Sequence, residues 1–248
     1  MEVNQQLVRQ GSRLFRWRSF LPLALLPLVL LAMRDGEYVR LNFGDAVDSA
    51  WEAMCIAVAF AGLALRSCVV GHVPAGTSGR NTRNQKADAL NQTGMYSIVR
   101  HPIYLANYIL FLGILLFVQS LWLVLAGSLI YWLYYERIIL AEEDFLARKF
   151  GGEYTAWAAL TPSVIPQPAL WRQPSLPFSL RAVLARENST MYAVVLVLTA
   201  MDLVRALIEN QPLVLDRHWL AFLAVGTALY LALRIAKKHT RWLQEEGR

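Results

Sequence analysis

The sequence predicts an all-α protein, a polytopic membrane helix bundle of about six transmembrane helices with both termini cytoplasmic. Of its 248 residues, 56% are hydrophobic and only 17% are charged, whereas charged residues make up about 25% of a typical soluble protein. Apolar residues are concentrated in five stretches without a charge, and Lys and Arg collect in alternate connections between them. The net charge of +6 is therefore attributed to orientation in the membrane, and no nucleic-acid partner is expected.

Five uncharged stretches supply the predicted spans. Four of them are shorter than the roughly 20 apolar residues that a spanning helix needs, so they must extend into their flanks. The fifth, residues 102–135, is too long for one span and is predicted to break at Gln119-Ser120 into a helical hairpin, which brings the count to six. The other four stretches are residues 19–33, 53–65, 189–201 and 219–233.

Basic residues predict the orientation of these helices. They precede the first span, lie between the second and third and between the fourth and fifth, and follow the sixth, which places those segments in the cytoplasm. The apolar stretch after the basic N-terminus is similar to a signal peptide, but no small-residue cleavage site follows it, so a retained span is expected. The basic residues concerned include Arg9, Arg18, Arg66, Arg80, Arg83, Lys86, Arg100, Arg148, Arg172, Arg186, Arg234 and Lys237.

A polar and aromatic stretch, TGMYSIVRHPIYLANYILFLG, begins the third predicted helix at residues 93–113. Pro102 suits the first turn of a helix, where its missing N–H does no harm. Arg100 and His101 are then expected at the helix N-terminus, where unpaired backbone N–H groups attract anions. On these residues alone, anchoring to lipid headgroups and binding of an anionic ligand are both open.

A second polar stretch, RIILAEEDFLARKFGGEYTAW, follows the fourth predicted helix at residues 137–157. Gly151-Gly152 is predicted to end this helix. The adjacent Glu142 and Glu143 point about 100° apart, so one can face a site and the other solvent. Because the hairpin brings the cytoplasmic ends of both helices together, the two stretches predict one site that suits a zwitterion with a positive centre. S-adenosylmethionine is such a molecule, and aromatic faces favour its sulfonium.

The two stretches together resemble a known family. The pattern G-x-Y-x-x-x-R-H-P-x-Y, followed about forty residues later by E-E-x-x-L-x-x-x-F-G-x-E-Y, is similar to isoprenylcysteine carboxyl methyltransferases and the related phospholipid methyltransferases. The resemblance covers roughly residues 80–168 and implies a membrane-embedded methyltransferase without a Rossmann domain, with S-adenosyl-L-methionine bound at the cytoplasmic side. The matching residues are Gly94, Tyr96, Arg100, His101, Pro102, Tyr104, Glu142, Glu143, Leu146, Phe150, Gly151, Glu153 and Tyr154.

The resemblance also implies roles for individual residues. Arg100, Glu142 and Arg137 are the expected catalytic residues. The family's enzymes have an arginine on the substrate side of the site. The matching position in this chain is Ile138, and Arg137 is one residue away. An amine acceptor would need to lose a proton, which a nearby glutamate can accept. The expected cofactor contacts are Tyr96, His101, Pro102, Ile103, Tyr104, Glu142 and Glu143, with Leu90 and Asn91 closing over the adenosine.

The expected function is methyl transfer to a membrane-resident lipid or lipidated acceptor, as in the isoprenylcysteine enzymes. Phospholipid N-methylation is the first alternative; an NADPH-dependent sterol-type reductase and a non-catalytic scaffold are others. The expected division is residues 1–79 with two spans, 80–168 as the methyltransferase core, and 169–248 with a proline-rich connection and the last two spans. No metal site is expected, and the acceptor and the oligomeric state are not indicated.

Overall fold

A computed structural model describes residues 2–18, 20–36, 38–74, 76–77, 85, 87–243, 245 and 247. Three of the basic residues that predict the orientation lie outside the described residues, namely Arg80, Arg83 and Lys86. The predicted boundary at 79/80 also lies outside them. The all-α class is confirmed for the described chain, in which the one pairing of extended segments is an isolated bridge between Gly94 and Arg172. Its α-helices are α1 (Glu2–Trp17), α2 (Leu21–Ala24), α3 (Leu26–Ala32), α4 (Tyr38–Phe43), α5 (Asp45–Val70), α6 (Met95–Ile98), α7 (Pro102–Phe117), α8 (Leu121–Phe150), α9 (Gly152–Leu160), α10 (Leu180–Ile208) and α11 (Arg217–His239), with short 3₁₀ segments at Met33–Asp35 and Pro168–Leu170.

Four helices of the described chain are long and apolar enough to cross a membrane, namely α5, α8, α10 and α11. Helix α7 is also apolar but has only 16 residues. The predicted break between α7 and α8 is confirmed, because α7 ends at Phe117 and Gln119 turns the chain with a φ of 61°. The protein is therefore a polytopic helical membrane protein.

The first of the roughly six predicted transmembrane helices is not one continuous helix. Residues 19–33 do not form a single helix; their described part is divided between α2, α3 and the start of a 3₁₀ segment. Pro27 lies in the first turn of α3, and since it has no N–H to donate to the preceding turn, a regular helix does not continue through it.

The basic N-terminus, expected only to precede a span, forms helix α1 and packs against α8. A Cβ on Gly11 would lie 1.8 Å from the carbonyl oxygen of Arg137, so the two backbones are in direct contact. The Tyr134 hydroxyl donates to the Leu14 carbonyl at 2.7 Å, and Phe15 is buried among the aromatic residues of α8. Helix α1 therefore covers one side of α8 close to the polar end of the hairpin.

Helices α5 and α7 approach each other through glycines. A Cβ on Gly62 would lie 2.3 Å from the Leu110 nitrogen, and one on Gly113 would lie 2.5 Å from the Ala59 nitrogen. Small residues allow this close approach, which is typical of helix packing in membranes. The contact places the C-terminal end of α5 beside the N-terminal half of α7.

Replacing Gly113 with alanine is expected to destabilise the bundle. The added methyl group meets backbone atoms of α5, which cannot move aside as a side chain does, so we expect a loss of about 1–3 kcal/mol. Gly152→Ala is the matched control, because nothing lies within 4 Å of a Cβ there. Thermal unfolding of the detergent-solubilised variants tests the difference; equal unfolding temperatures would contradict the close α5–α7 contact.

The chain between α9 and α10, residues 161–179, is the proline-rich strap. It is irregular, with one short 3₁₀ segment and no α-helix, as its many prolines favour. The Arg100 amide donates to the Pro162 carbonyl at 2.8 Å, and the Gln167 amide donates to the Ile98 carbonyl at 2.9 Å. The strap thus holds α6 and the residues that follow it at the end of the bundle.

Candidate functional site

The α7–α8 hairpin brings the two polar stretches together. The Tyr104 hydroxyl donates to Oε2 of Glu142 at 2.7 Å. The other glutamate, Glu143, lies with its Oε1 3.0 Å from His101 Nε2 and 3.0 Å from Arg100 Nη1. The two carboxylates thus have different partners, as the angle between adjacent helical positions requires.

Local sequence fixes His101 at the start of α7. Pro102 occupies the first turn, and the His101 carbonyl accepts hydrogen bonds from the amides of Tyr104 and Leu105 at 3.1 and 3.3 Å. The imidazole ring stacks on Tyr104 with a centroid distance of 5.7 Å. Its Nδ1 lies 3.7 Å from Oε2 of Glu142, so the ring stands between the two carboxylates.

A cavity of about 740 Å³ lies beside these contacts. This volume is within the roughly 300–1,000 Å³ of small-molecule sites. Glu142 lines it, whereas Glu143 does not and contacts His101, Arg100 and Ser163 behind the wall. Of the residues expected at the site, the cavity is lined by Leu90, Asn91, Tyr96, Arg100, His101, Ile103, Tyr104 and Glu142.

Besides Glu143, two more of the expected site residues do not line the cavity. Pro102 is buried in the first turn of α7, and its role there is to start the helix. Arg137 faces α1 instead, with its Nε 3.3 Å from Oε1 of Gln10 and its Nη1 bonded to the Leu133 carbonyl. One helical position turns the side chain by about 100°, which explains why an arginine beside position 138 points elsewhere.

The cavity also has polar residues that the sequence reasoning did not assign to the site. Arg66 of α5 and Glu187 of α10 form a salt bridge with Nε–Oε2 and Nη2–Oε1 distances of 2.9 and 3.0 Å. Arg66 Nη1 also donates to Oδ1 of Asn107 on α7. Charged residues at the ends of apolar stretches often mark functional positions, but Arg66 was interpreted only as an orientation signal.

Two tyrosines near the site, both outside the spanning helices, keep their protons at neutral pH. Burial, and then the nearby Glu142 carboxylate, raises the pKa of Tyr96 well above its usual value. Burial and Glu143 raise the pKa of Tyr154 to about 12. Tyr96 therefore presents a neutral hydroxyl and an aromatic face to the cavity. Within the described residues, no group of three or more His, Cys, Asp or Glu side chains could hold a metal ion.

Comparison with known proteins relates the cavity-forming segment to membrane methyltransferases. Residues 75–153 match the phospholipid methyltransferase family, a span that includes α6, α7 and α8 but neither α5 nor α10. The chain is 32% identical over 85 residues to the protein-S-isoprenylcysteine O-methyltransferase of Schizosaccharomyces pombe, covering 34% of this chain and 36% of that protein.

Two bacterial proteins show a similar likeness. The nickel-cobalt-cadmium resistance protein NccN of Alcaligenes xylosoxydans xylosoxydans is 33% identical over 91 residues, covering 37% of this chain and 42% of the relative. The cobalt-zinc-cadmium resistance protein CzcN of Cupriavidus metallidurans is 34% identical over 88 residues, covering 36% and 40%. The chain thus matches less than half the length of each of these relatives. No solved structure matches it.

Proposed function

Since the chain belongs, through residues 75–153, to the family of phospholipid and isoprenylcysteine methyltransferases, we propose that it transfers a methyl group from S-adenosyl-L-methionine to a membrane-resident acceptor. The observation that carries this proposal is the cavity beside the Tyr104–Glu142 contact. The cavity is large enough for a small-molecule cofactor, and six of the residues that resemble the family's motifs line it, namely Tyr96, Arg100, His101, Tyr104, Glu142 and Leu146.

The residues of the cavity fit this cofactor. Glu142 offers a carboxylate for its ammonium group, and the rings of Tyr96 and Tyr104 offer aromatic faces for its sulfonium. Arg100 lines the cavity, and its buried Nε has no hydrogen-bond partner among the described residues. A buried donor without a partner usually has one in the complete complex, and a carboxylate oxygen of the ligand would supply it. Backbone near Leu90 and Asn91 would enclose the adenosine.

Bound S-adenosylmethionine would supply a methyl group activated by its positive sulfur, which would keep the electron pair of the carbon–sulfur bond when the acceptor's oxygen or nitrogen takes the methyl group. The protein's residues need to supply alignment and exclusion of water. His101 and Tyr104 hold Glu142 in place. Glu142 can accept the proton that an amine acceptor must lose, whereas an ionised carboxylate needs no base.

We propose an acceptor that is a lipid or a lipidated molecule and reaches the cavity from the bilayer, because the cavity lies among apolar helices. The alternation of basic loops favours a site that faces the cytoplasm, with both termini on that side. O-methylation, as named for the isoprenylcysteine relative, is the first candidate reaction. N-methylation of a phospholipid is the alternative, favoured by the description of the matched family.

Isothermal titration of the detergent-purified chain with S-adenosylmethionine tests the proposal, and saturable binding is the expected result. Incubation with the methyl-labelled cofactor and a total membrane lipid extract, followed by mass spectrometry, should then show label in a lipid product. Label in an ester distinguishes O-methylation from label in a headgroup amine. Absence of both cofactor binding and lipid labelling would overturn the proposed function.

A further inference from the structure

The cavity reaches the surface of the described chain at two places. Most of its described lining residues are buried or half-buried, but three are exposed, namely Ala89, Ser189 and Ala193. Ala89 lies in the loop before α6, next to Leu90, whereas Ser189 and Ala193 lie on α10. A residue that is exposed and also lines a cavity marks a mouth of that cavity. One mouth is therefore at the loop, and the other, which we call the α10 mouth, is at Ser189 and Ala193.

The α10 mouth opens toward the bilayer. Helix α10 is one of the helices that are long and apolar enough to cross a membrane, and its uncharged stretch, residues 189–201, begins two positions after Glu187. Ser189 and Ala193 are about one helical turn apart, so they lie on the same side of the helix. Leu196, the next residue on this side, is 42% exposed. The α10 mouth thus lies where the headgroups of the bilayer meet its hydrocarbon, with an apolar surface beyond it.

A polar contact beside the α10 mouth fixes the helices around it. Arg66 of α5 forms a salt bridge with Glu187 of α10, at 2.9 and 3.0 Å, and its Nη1 also donates to Oδ1 of Asn107 on α7. The charges of Arg66 and Glu187 compensate each other, so this contact selects neither an anion nor a cation. It ties three helices together, which holds α10 in place relative to α7, and the mouth is therefore part of the folded bundle.

We propose that the α10 mouth is the entrance for the methyl acceptor, and that the small side chain of Ala193 leaves the room through which the acceptor passes. This inference rests on the proposed function. The acceptor would be an amphiphile whose polar end enters the cavity while its apolar chain stays in the bilayer along α10. The cofactor would reach the cavity through the loop mouth at Ala89, on the side of Leu90 and Asn91, so the two substrates need not pass each other.

The family match assigns no such role to α10. The matched segment ends at residue 153, and α10 begins at Leu180, whereas the loop mouth lies within the match. The chain would therefore bind the cofactor through residues that resemble the family's motifs and admit the acceptor past a helix outside the match. An acceptor different from those of other family members is compatible with this division.

Two tryptophan variants on the same helix test the entrance. Ala193 and Ala200 are both exposed on α10, but Ala193 lines the cavity and Ala200 does not. The large side chain of Ala193→Trp would fill the mouth, whereas that of Ala200→Trp would extend into the lipid. Because both positions face outward, the bundle does not have to repack around either substitution. Ala200→Trp is therefore the matched control for a bulky residue on the lipid-facing side of α10.

Labelling of a total membrane lipid extract with methyl-labelled S-adenosylmethionine measures the use of the acceptor. We expect Ala193→Trp to label lipid about tenfold or more slowly than the wild type, and Ala200→Trp to label it at the wild-type rate. Isothermal titration with S-adenosylmethionine should give the same affinity for all three proteins. Equal labelling by Ala193→Trp and the wild type would overturn the proposed entrance. Loss of cofactor binding in Ala193→Trp would also overturn it, because residue 193 would then belong to the cofactor's part of the cavity.

A photoreactive long-chain alcohol tests the α10 mouth without the cofactor. A diazirine on its chain forms a covalent bond with the residue that it contacts on irradiation, and mass spectrometry of the digested full-length protein locates that residue. We expect crosslinks at Ile103 and Asn107, which line the cavity from α7, in the wild type and in Ala200→Trp. Ala193→Trp should show about tenfold fewer of them. Crosslinks at the exposed Val225 of α11 should be equal in all three proteins.

The crosslinks also separate this inference from the proposed function. A wild type without crosslinks at Ile103 and Asn107, or an Ala193→Trp protein with as many as the wild type, would overturn the α10 mouth as an entrance. A wild type that shows these crosslinks, and loses them in Ala193→Trp, but neither binds S-adenosylmethionine nor labels lipid would contradict the proposed function. The α10 mouth would then stand as the entrance for a lipid that is not methylated.

Discussion

Replacing Glu142 with glutamine is expected to weaken binding of S-adenosylmethionine by about ten- to a hundredfold, because hydrogen bonds to charged groups contribute about 1.5–3 kcal/mol. Glutamine keeps the shape of the side chain and can still accept from the Tyr104 hydroxyl, which now donates to Glu142 at 2.7 Å. The variant therefore removes the charge at the cavity wall with little change in packing. Isothermal titration of the purified protein measures the effect.

Glu136→Gln is the matched control for this experiment. Glu136 is on the same helix, α8, but is exposed and does not line the cavity. We expect it to bind the cofactor like the wild type. If both variants bind equally well, Glu142 does not contact the cofactor, and the cofactor site must be sought elsewhere in the chain.

The Glu142→Gln variant also distinguishes O-methylation from N-methylation. At a saturating concentration of cofactor, weaker binding no longer limits the rate, so methylation of an ionised oxygen should return close to the wild-type rate. Methylation of an amine should stay slow by about 10²–10⁴-fold if Glu142 accepts its proton. The labelled-lipid assay at high and low cofactor concentration therefore reports on the nucleophile.

The hairpin that carries the site follows from a few residues of the sequence. Pro102 starts α7, Gln119 ends the apolar run with a turn, and Gly151 ends α8. Proline and glycine impose such limits through their own backbone chemistry, with little help from the rest of the fold. Local signals were therefore sufficient to predict that Arg100 and Glu142 lie at the same end of the bundle.

Contacts between distant helices were not predictable in the same way. Arg66 and Glu187 are 121 positions apart in the sequence, and no motif around either residue indicates that the two form a salt bridge. Helix α1 was not predicted because it has fewer apolar residues than a membrane span. Its contact with α8 depends on Gly11, and nothing in the sequence around this glycine indicates a close approach of two helices. The direction of the Arg137 side chain was not predictable from the motif, because a shift of one position on a helix turns a side chain to another face.

Replacing Glu143 with alanine is expected to lower both stability and cofactor binding, in contrast to the change at Glu142. The carboxylate of Glu143 faces Arg100 and His101 and also accepts a hydrogen bond from Ser163 of the proline-rich strap at 3.2 Å. Its removal leaves the largely buried Arg100 without a carboxylate partner, and breaking a buried ion pair costs about 3–5 kcal/mol. The side chain of Glu143 is 21% exposed and that of Arg100 is 19% exposed, so solvent reduces the loss, and we expect about 2–3 kcal/mol.

Ser163→Ala is the control for this variant, because it removes one neutral donor to the same carboxylate and should cost about 1 kcal/mol. Thermal unfolding in detergent measures stability, and titration with S-adenosylmethionine well below the unfolding temperature measures cofactor binding. We expect Glu143→Ala to weaken binding because Arg100 and His101, both at the cavity wall, lose the group that orients them. A variant that is less stable yet binds the cofactor normally would show that Glu143 only fastens the hairpin to the strap, since the cavity would then keep its shape without it.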